Sequence, residues 1–295
     1  MYKNFNINNL LPAGKLVKKA FENGYAVPQF NVLNLVWAKT ILLTCQEANS
    51  PVILGFSVSA IKYMGGYESV VNMVNSLIKG FNITIPVATN LDHGPTHDAC
   101  IKAINAGFSS IMYDGSSLPI DENVRNTKKI SDICKQYDIS LEGEVGVVGG
   151  EEDGVVGEVM YAKIDHCKRL VEEGCVDILA ASLGSVHGHY KGQPHLGFEK
   201  MAELKEKINV PLVLHGGSGI PDDMIKKSIS YGESKINVST ELLDAFCYGI
   251  KGYFDQNKHL LPKGYDPRII FEDGIIPMKK VLLHKINLFG SNNKG

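Results

Sequence analysis

The chain has 295 residues, with 30 basic and 32 acidic side chains and a formal net charge of −2. This length fits one large domain or two medium ones, and the 44% of apolar residues is enough for a sizeable core. The balanced charge gives no basic stripe, which argues against nucleic acid as a partner, although a few local donors can still hold an anionic small molecule.

The compartment is indicated by what the sequence lacks. The six cysteines are scattered without a Cys-x-x-Cys pair, and the first residues form no apolar signal core. No apolar run approaches the roughly 18 residues that a membrane span needs. We therefore expect a cytoplasmic protein with reduced thiols and no membrane partner.

Strand-like apolar runs alternate with helix-like runs along the chain. The first helix carries Leu16, Val17, Ala20 and Phe21 on one face, and Asn23-Gly24 ends it. A last helix is predicted over residues 276–289, and the tail at 291–295 is expected to fray. The predicted strands cover residues 26–31, 52–56, 85–91, 110–113, 140–145, 176–181, 210–214 and 234–238.

Eight strands joined by helices in a chain of this length predict a closed (β/α)₈ TIM barrel that forms a single domain over residues 1–295. An open doubly wound sheet is the alternative. No Gly-x-Gly-x-x-Gly follows the first strand, which weakens the dinucleotide-binding version of that alternative.

Three histidines each follow one of the predicted strands. His93 follows the third strand, His187 the sixth and His215 the seventh. Parallel strands of a barrel end at the same rim, where the active site lies, so the three imidazoles should meet. Three neutral imidazoles with an open fourth position are typical of a catalytic zinc site, and we expect a metal-dependent enzyme.

Other polar groups end neighbouring strands at the same rim. Asp92 precedes His93 and could instead cap the next helix, and Asp114 could serve the turn with Gly115. Because adjacent strand residues point to opposite sides, Asp92 and His93 need a turn to face the mouth together. His97 has helical chelate spacing from His93, but a solvated His97 is favoured, and the same holds for His189 two residues past His187.

Two segments at the rim are suited to phosphate. Residues 215–219 end the seventh strand and open a helix near Pro221, and residues 237–240 do the same after the eighth strand. Glycines let the backbone approach an anion, and these two loops are the usual phosphate site of such barrels.

A glycine-rich acidic segment, residues 146–154, follows the fifth strand. It fits a mobile lid that brings a carboxylate over the substrate. A solvated loop of mixed turns is the alternative.

With these residues assembled, the chain resembles the class II, metal-dependent ketose-bisphosphate aldolases over nearly its whole length. The matching segments are YAVPQFN at 25–31, SPVIL at 50–54, LDHG at 91–94, EGEVG at 142–146, GGEED at 149–153, GSVHG at 184–188, LHGGSGIP at 214–221, KINVSTE at 235–241 and YDPR at 265–268.

The resemblance implies a zinc-assisted cleavage of fructose 1,6-bisphosphate to dihydroxyacetone phosphate and glyceraldehyde 3-phosphate in glycolysis. His93, His187 and His215 would hold the catalytic zinc, and Asp114 and Glu144 would serve a second or alternative divalent metal. Asp92 would exchange a proton with the C4 hydroxyl, and Glu152 on the lid would move the proton at C1.

The resemblance also implies the substrate contacts and the assembly. A homodimer or homotetramer is expected, with Arg268 reaching in from a neighbouring subunit to join Ser57 at one phosphate. A monovalent cation, sodium or potassium, could accompany the other phosphate. The residues implied at that phosphate are Gly188, Gly216, Gly217, Ser218, Asn237, Val238, Ser239 and Thr240.

Two positions depart from the family pattern and leave the sugar open. Asn90 stands where histidine is frequent, and Ser239 where fructose-bisphosphate enzymes often carry Asp or Asn. A small residue at 239 is typical of tagatose-bisphosphate aldolases, whereas the intact Gly-Gly-Ser turn and the segment at 265–268 favour fructose. An aldolase for 6-phospho-5-dehydro-2-deoxy-gluconate is a further alternative.

Two other functional classes remain as alternatives, a metal-dependent phosphohydrolase and a non-catalytic binding barrel. Aldolases of the other class use a lysine Schiff base. No lysine stands at the predicted strand ends, and Lys235 is expected at the start of the eighth strand, on the wrong side. The residues themselves therefore favour metal over imine chemistry.

Overall fold

The structure is a computed structural model that describes residues 9–152, 155–157 and 161–295, with the side chains of 151, 152 and 155–157 outside the description. Each buried strand is a short run rich in branched apolar residues, as expected for a sheet covered on both faces. In chain order the strands are β1 Val27–Asn31, β2 Val52–Phe56, β3 Val87–Gly94, β4 Ser110–Tyr113, β5 Ser140–Val145, β6 Gly149–Glu152, β7 Val155–Gly157, β8 Ile178–Ala181, β9 Val186–His187, β10 Leu212–Leu214 and β11 Glu233–Val238.

Helices separate the barrel strands. They are α1 Ala13–Asn23, α2 Leu35–Glu47, α3 Val58–Tyr63, α4 Tyr67–Gly80, α5 His97–Ala106, α6 Ile120–Gln136, α7 Ile164–Glu172, α8 Phe198–Lys207, α9 Asp222–Ser230, α10 Thr240–Asp255 and α11 Pro267–Leu288. A short 3₁₀ helix, Lys258–Leu260, lies between α10 and α11.

The barrel closes in the order β1-β11-β10-β8-β5-β4-β3-β2, and each pairing is parallel. The first and last strands are joined, with Val27 opposite Lys235. The predicted (β/α)₈ barrel is confirmed, and the open doubly wound alternative is excluded because such a sheet leaves its first and last strands unpaired. The eight predicted strands correspond to the eight barrel strands, with ends that differ by up to three residues.

The amino-terminal end of the barrel is closed by α1. The backbone amides of Ala13 and Gly14 donate to the hydroxyls of Ser110 and Ser140, which begin β4 and β5. The apolar face of α1 packs on the inward-facing residues of the strands, in a cluster separate from the larger core between sheet and helices. With this end filled by apolar side chains, the polar inward-facing residues lie towards the opposite mouth.

Two predictions at the carboxyl end of the chain are wrong. The last helix begins at Pro267, well before residue 276, because Asp266 caps it and Pro267 occupies its first turn. The tail is not frayed, since the amides of Asn293 and Lys294 donate to carbonyls of Ala48 and Asn49, and the hydroxyl of Ser291 is bonded to that of Ser50.

Candidate active site at the carboxyl-terminal mouth of the barrel

A bulge at the end of β3 brings two adjacent residues to the mouth. The β3–β4 register shifts between Leu91 and Gly94, and His93 has a left-handed φ of 47°. The extra residue turns the strand, so that Asp92 and His93 both point inward. Gly94 makes this possible, because a Cβ there would lie 2.6 Å from the carbonyl oxygen of Met112.

The three predicted histidines converge. Their ligand nitrogens lie within 4.8 Å of one another, and the ring centroids of His93 and His215 are 4.6 Å apart. The His187 centroid lies 5.1 Å from that of His93 and 5.8 Å from that of His215. The side chains come from the ends of three strands, as the sequence predicted.

Two carboxylates lie beside His93. Oδ2 of Asp114 is 2.8 Å from Nδ1 of His93, and Oε2 of Glu144 is 3.7 Å from the same nitrogen. His93, Asp114 and Glu144 form a second group whose ligand atoms lie within 4.8 Å of one another. Burial acts to raise the pKa of Asp114, but hydrogen bonds from His93 and Ser116 outweigh it and hold the pKa well below its usual value.

Asp114 also shapes the turn, which was the competing interpretation. Its Oδ1 accepts hydrogen bonds from the backbone amide and the hydroxyl of Ser116. Asp92, in contrast, is not a helix cap, because the side chain of Thr96 caps α5.

The ring nitrogens of His93 and His215 face each other at the site. Ionised carboxylates only accept hydrogen bonds, so Nδ1 of His93 donates to Asp114 and Nε2 of His215 donates to Glu142 at 2.9 Å. The other two nitrogens, Nε2 of His93 and Nδ1 of His215, lie 2.9 Å apart. Burial lowers the pKa of His215, which favours its neutral ring. Together with His187, these converging imidazoles are a donor set that suits a divalent metal such as zinc.

Glu142 and Lys235 lie behind His215, and the sequence analysis gave neither a role at this site. Nζ of Lys235 is 2.8 Å from Oε2 of Glu142, and both side chains are buried. Burial raises the pKa of Glu142, but Lys235 and His215 outweigh it and lower the pKa to about 2. Lys235 lies opposite Val27, the first residue of β1, as expected for the start of the strand, but its side chain lies inside the barrel and supports a carboxylate that orients His215.

Asp92 is held by side-chain amides that the sequence analysis also missed. Nε2 of Gln29 donates to Oδ1 at 2.8 Å, Nδ2 of Asn31 donates to Oδ2 at 3.0 Å, and Nδ2 of Asn237 lies 3.4 Å from Oδ1. A signal was present in the sequence: Gln29 and Asn31 are two residues apart on a strand, as are Glu142 and Glu144. Alternate strand residues face the same side, so polar pairs at this spacing point into the barrel.

A cavity of about 230 Å³ opens beside this cluster. Two hydroxyls, Ser57 and Ser59, line it together with Asn31. The remaining lining includes most of the predicted phosphate residues, namely Gly188, Gly216, Ser218, Asn237, Ser239 and Thr240, with His187 beside them. The amino end of α10 begins at Thr240, so the dipole of this helix favours an anion at this wall.

Gly217 and Val238 contribute backbone rather than cavity surface. The amide of Gly217 donates to the carbonyl of Asn237 at 2.9 Å, and a Cβ on Gly217 would lie 2.8 Å from that oxygen. The side chain of Val238 is buried in the core. The turn after β10 and the end of β11 are thus joined directly.

The same turn is tied to α10 and α11. Oγ of Ser218 accepts from the amides of Ser239 and Glu241, each at 3.3 Å. Oε1 of Glu241 accepts from the amide of Gly219 and from Nζ of Lys285. These bonds hold the wall of the cavity before any ligand arrives, and the roles of Glu241 and Lys285 were not anticipated from the sequence.

Part of the acidic segment after β5 forms a strand, β6, while residues 153 and 154 lie outside the described residues. β6 and β7 are antiparallel, and β6 also pairs with β9, with Gly150 opposite His187. Gly150 permits this pairing, because a Cβ there would lie 2.0 Å from the carbonyl oxygen of His187. Glu152 ends β6, but its side chain lies outside the described residues.

Three further residues lie away from the cluster. Arg268 is exposed on α11, bonded to Asp266, and borders a separate groove with α2. His97 is exposed at the start of α5. His189 is exposed and pairs with Asp244 of α10.

A closed parallel barrel with imidazoles and carboxylates gathered at its carboxyl-terminal mouth defines a TIM-barrel enzyme. A model of the family described as "Fructose-bisphosphate aldolase class-II" matches residues 12–294. The chain belongs to this family and is an aldehyde-lyase whose substrate is a sugar phosphate.

Curated relatives carry two different activities. A protein of Halalkalibacterium halodurans named 6-phospho-5-dehydro-2-deoxy-D-gluconate aldolase is 45% identical over 97% of this chain and 98% of its own length. A Geobacillus stearothermophilus protein named fructose-bisphosphate aldolase is also 45% identical, over 97% of this chain and 99% of its own. Overall similarity therefore does not select the sugar.

Solved structures agree with the fold. The YdjI aldolase from Escherichia coli K12 matches with a TM-score of 0.84 and 32% identity, covering 97% of this chain and 99% of that one. A fructose-bisphosphate aldolase from Campylobacter jejuni matches with a TM-score of 0.82 and 26% identity, covering 97% of both chains. Among the helices of the described residues, none has the length and apolar character needed to span a membrane.

Proposed function

We propose that the chain is a zinc-dependent fructose-1,6-bisphosphate aldolase, which reversibly forms dihydroxyacetone phosphate and glyceraldehyde 3-phosphate as a step of glycolysis. The observation that carries the proposal is the convergence of His93, His187 and His215, whose ligand nitrogens lie within 4.8 Å of one another, with the buried carboxylate of Asp92 adjacent to His93 in β3. We assign the whole chain, residues 1–295, to one catalytic barrel in the cytoplasm, where its six free cysteines would stay reduced.

In this proposal His93, His187 and His215 hold the zinc. A bound zinc ion acts as a Lewis acid that accepts the negative charge released when the C3–C4 bond breaks. Asp114 and Glu144 could hold a second divalent ion, because each lies within 4 Å of His93.

Two carboxylates divide the proton transfers. Asp92 takes the proton from the C4 hydroxyl during cleavage and returns it during condensation, which requires hydrogen-bond reach to that oxygen. Glu152, at the end of β6, moves the proton at C1 of dihydroxyacetone phosphate. The pairing of β6 with β9 supports this role, because it anchors β6 beside His187.

The two phosphates are assigned to opposite walls of the cavity. The phosphate of dihydroxyacetone phosphate binds the wall formed by the turn after β10 and the amino end of α10, because the dipole of α10 favours negative charge there. Sodium or potassium could accompany it. The proposed contacts of this phosphate are Gly188, Gly216, Ser218, Asn237, Ser239 and Thr240, while Gly217 and Val238 support this wall through their backbone. The other phosphate binds Ser57, which lines the cavity with Asn31.

Arg268 is assigned to that second phosphate in a neighbouring subunit of a homodimer or homotetramer. Within its own chain it borders the groove between α2 and α11 and not the cavity. This groove exposes apolar side chains, with Leu35 and Ile276 at 53% and 56% exposure. An exposed apolar groove with a cation at its edge suits contact with a second copy of the chain.

A coupled assay that compares three substrates under metal control tests the proposal. We expect cleavage of fructose 1,6-bisphosphate to exceed that of tagatose 1,6-bisphosphate and of 6-phospho-5-dehydro-2-deoxygluconate. We also expect EDTA to abolish cleavage and added zinc or cobalt to restore it. Full activity after thorough chelation would refute the metal assignment, and release of inorganic phosphate without triose products would favour a phosphohydrolase.

The deoxygluconate aldolase is the second candidate, and the position of Arg268 favours considering it. That substrate carries one phosphate, so it would not need a partner arginine at the second site.

Ser239 lines the cavity and is the position to examine for the preference between fructose and tagatose bisphosphates, since one side chain near C4 can shift that preference by roughly 1–3 kcal/mol.

A further inference from the structure

A short relay of side-chain amides ends on Asp92. Nδ2 of Asn90 donates to Oε1 of Gln29 at 3.0 Å, and Nε2 of Gln29 donates to Oδ1 of Asp92 at 2.8 Å. Gln29 is 0% exposed and Asn90 1%. Water therefore does not compete for these contacts, and the relay is part of the rigid barrel interior.

The hydrogen bonds of this relay can run in only one direction, towards Asp92. An ionised Asp92 accepts hydrogen bonds and cannot donate them. A flipped Gln29 amide would place its oxygen against that carboxylate. Asp92 thus fixes which end of the Gln29 amide faces it, and Asn90 supports that orientation by donating to the amide oxygen of Gln29.

Gly55 of β2 makes the relay possible. Asn31 is paired with Gly55 in the β1–β2 register, and a Cβ on Gly55 would lie 2.6 Å from Nε2 of Gln29 and 2.9 Å from Oδ1 of Asn31. Any side chain at this position would displace the amide of Gln29. Gly55 lies in ordinary strand backbone, so the requirement is for space and not for conformation.

We propose that Gln29 is a positioning residue for proton transfer by Asp92. Supported by the hydrogen bond from Asn90 and given space by Gly55, its amide holds the carboxylate in the direction from which it reaches the substrate hydroxyl. The inference rests on the proposed function, since it names a residue that acts through the proposed base. A small misplacement of a reacting group is costly to turnover, which is why a fixed carboxylate matters.

The first test replaces Gln29 with methionine, which keeps the length of the side chain but removes both hydrogen bonds made by the Gln29 amide group. A hydrogen bond to a charged group predicts a fall in kcat of about 10- to 100-fold. We expect KM for fructose 1,6-bisphosphate to stay within about twofold, because Gln29 does not line the cavity. Zinc affinity, measured by chelator competition, should be unchanged. Gln136→Met, on the surface of α6, is the matched control.

The second test leaves every polar residue in place. Gly55→Ala should lower kcat about as much as Gln29→Met, because the new methyl group displaces the same amide. In a Gln29→Ala background the added Gly55→Ala change should lower kcat less than it does in the wild type, since the clash with Gln29 is gone and only the close approach to Oδ1 of Asn31 remains.

Several outcomes contradict the positioning role. If Gln29→Met keeps wild-type kcat while Asp92→Ala is inactive, the role is wrong and the proposed function stands. Equal losses from Gly55→Ala in both backgrounds, or loss of zinc binding or folding in both single variants, would show a structural role instead. A wild-type protein that cleaves none of the three sugars would remove the proposed function and this inference together.

Discussion

His93 depends on a backbone conformation that few residues other than glycine adopt. Its left-handed φ and the neighbouring bulge allow Asp92 and His93 to face the same cavity. Strained backbone of this kind costs on the order of 1–3 kcal/mol and persists where the surroundings enforce it. Gly94 leaves the space for this bend beside the backbone of Met112, and the hydrogen bond between His93 and Asp114 holds the His93 ring in place.

We expect His93→Ala to lower zinc affinity by roughly 100-fold or more, because it removes one of the three converging nitrogens. Metal analysis after dialysis, with chelator competition, measures this change. His97→Ala, four residues further on and exposed, is the control and should bind zinc as the wild type does. Equal zinc loss in both variants would contradict the assignment of His93.

We expect Asp92→Ala to reduce kcat by about 10²- to 10⁴-fold, the range typical of a lost general acid or base. Zinc content should stay near the wild-type value, because Asp92 is proposed to move a proton and not to bind metal. Asp98→Ala, an exposed carboxylate on α5, controls for the lost charge. An Asp92→Ala protein without zinc would show that the proposed role is wrong.

At the scale of elements, β11 joins the site to the core. Inward-facing Lys235 and Asn237 support His215 and Asp92, while Glu233, the first residue of the strand, is fully buried. Neither carboxyl oxygen of Glu233 has a hydrogen-bond partner among the described residues. Burial raises the pKa of Glu233 to about 8.

This raised pKa predicts a pH-dependent cost to stability. The unfolded chain ionises Glu233 near the ordinary pKa of 4.5, whereas burial in the folded chain raises this pKa to about 8, so stability falls as the pH rises across that window. The Glu233→Gln variant cannot ionise at this position. We therefore expect its free energy of unfolding, relative to that of the wild type, to rise by roughly 2–4 kcal/mol between pH 5 and pH 8. Denaturant unfolding at several pH values measures it. Glu22→Gln, exposed on α1, controls for the lost surface charge, and an advantage that does not change with pH would contradict the prediction.

At the scale of the whole molecule, the proposed role of Arg268 needs a second chain, because Arg268 does not line the cavity of its own chain. If a partner chain supplies this phosphate contact as proposed, Arg268→Ala should raise KM for fructose 1,6-bisphosphate. An unchanged KM would remove Arg268 from the site.

Co-expression of Arg268→Ala and Asp92→Ala chains tests whether the site is shared. In a mixed dimer one of the two sites has neither change, so about a quarter of all sites should work normally. Purified single variants are the controls. Activity no higher than the mean of those controls would place Arg268 outside a shared site.

The sequence predicted the barrel because each strand is a local signal, a short apolar run bounded by turns, and closure follows from the number of strands. It also predicted His93, His187 and His215, because residues that end parallel strands meet at one rim. It failed at the last helix, where Asp266 and Pro267 were available as a start signal, and at the tail, whose bonds to Ala48 and Asn49 cross most of the chain.

The chain alone determined which residues arrive at the mouth, since strand order and side-chain alternation are encoded locally. Only the tertiary structure decided how those residues hold one another: Lys235 behind Glu142, Gln29 against Asp92 in the space left by Gly55, and Glu241 between Gly219 and Lys285. These contacts join strands and helices far apart in sequence. They depend on register and on available space, which no local pattern specifies.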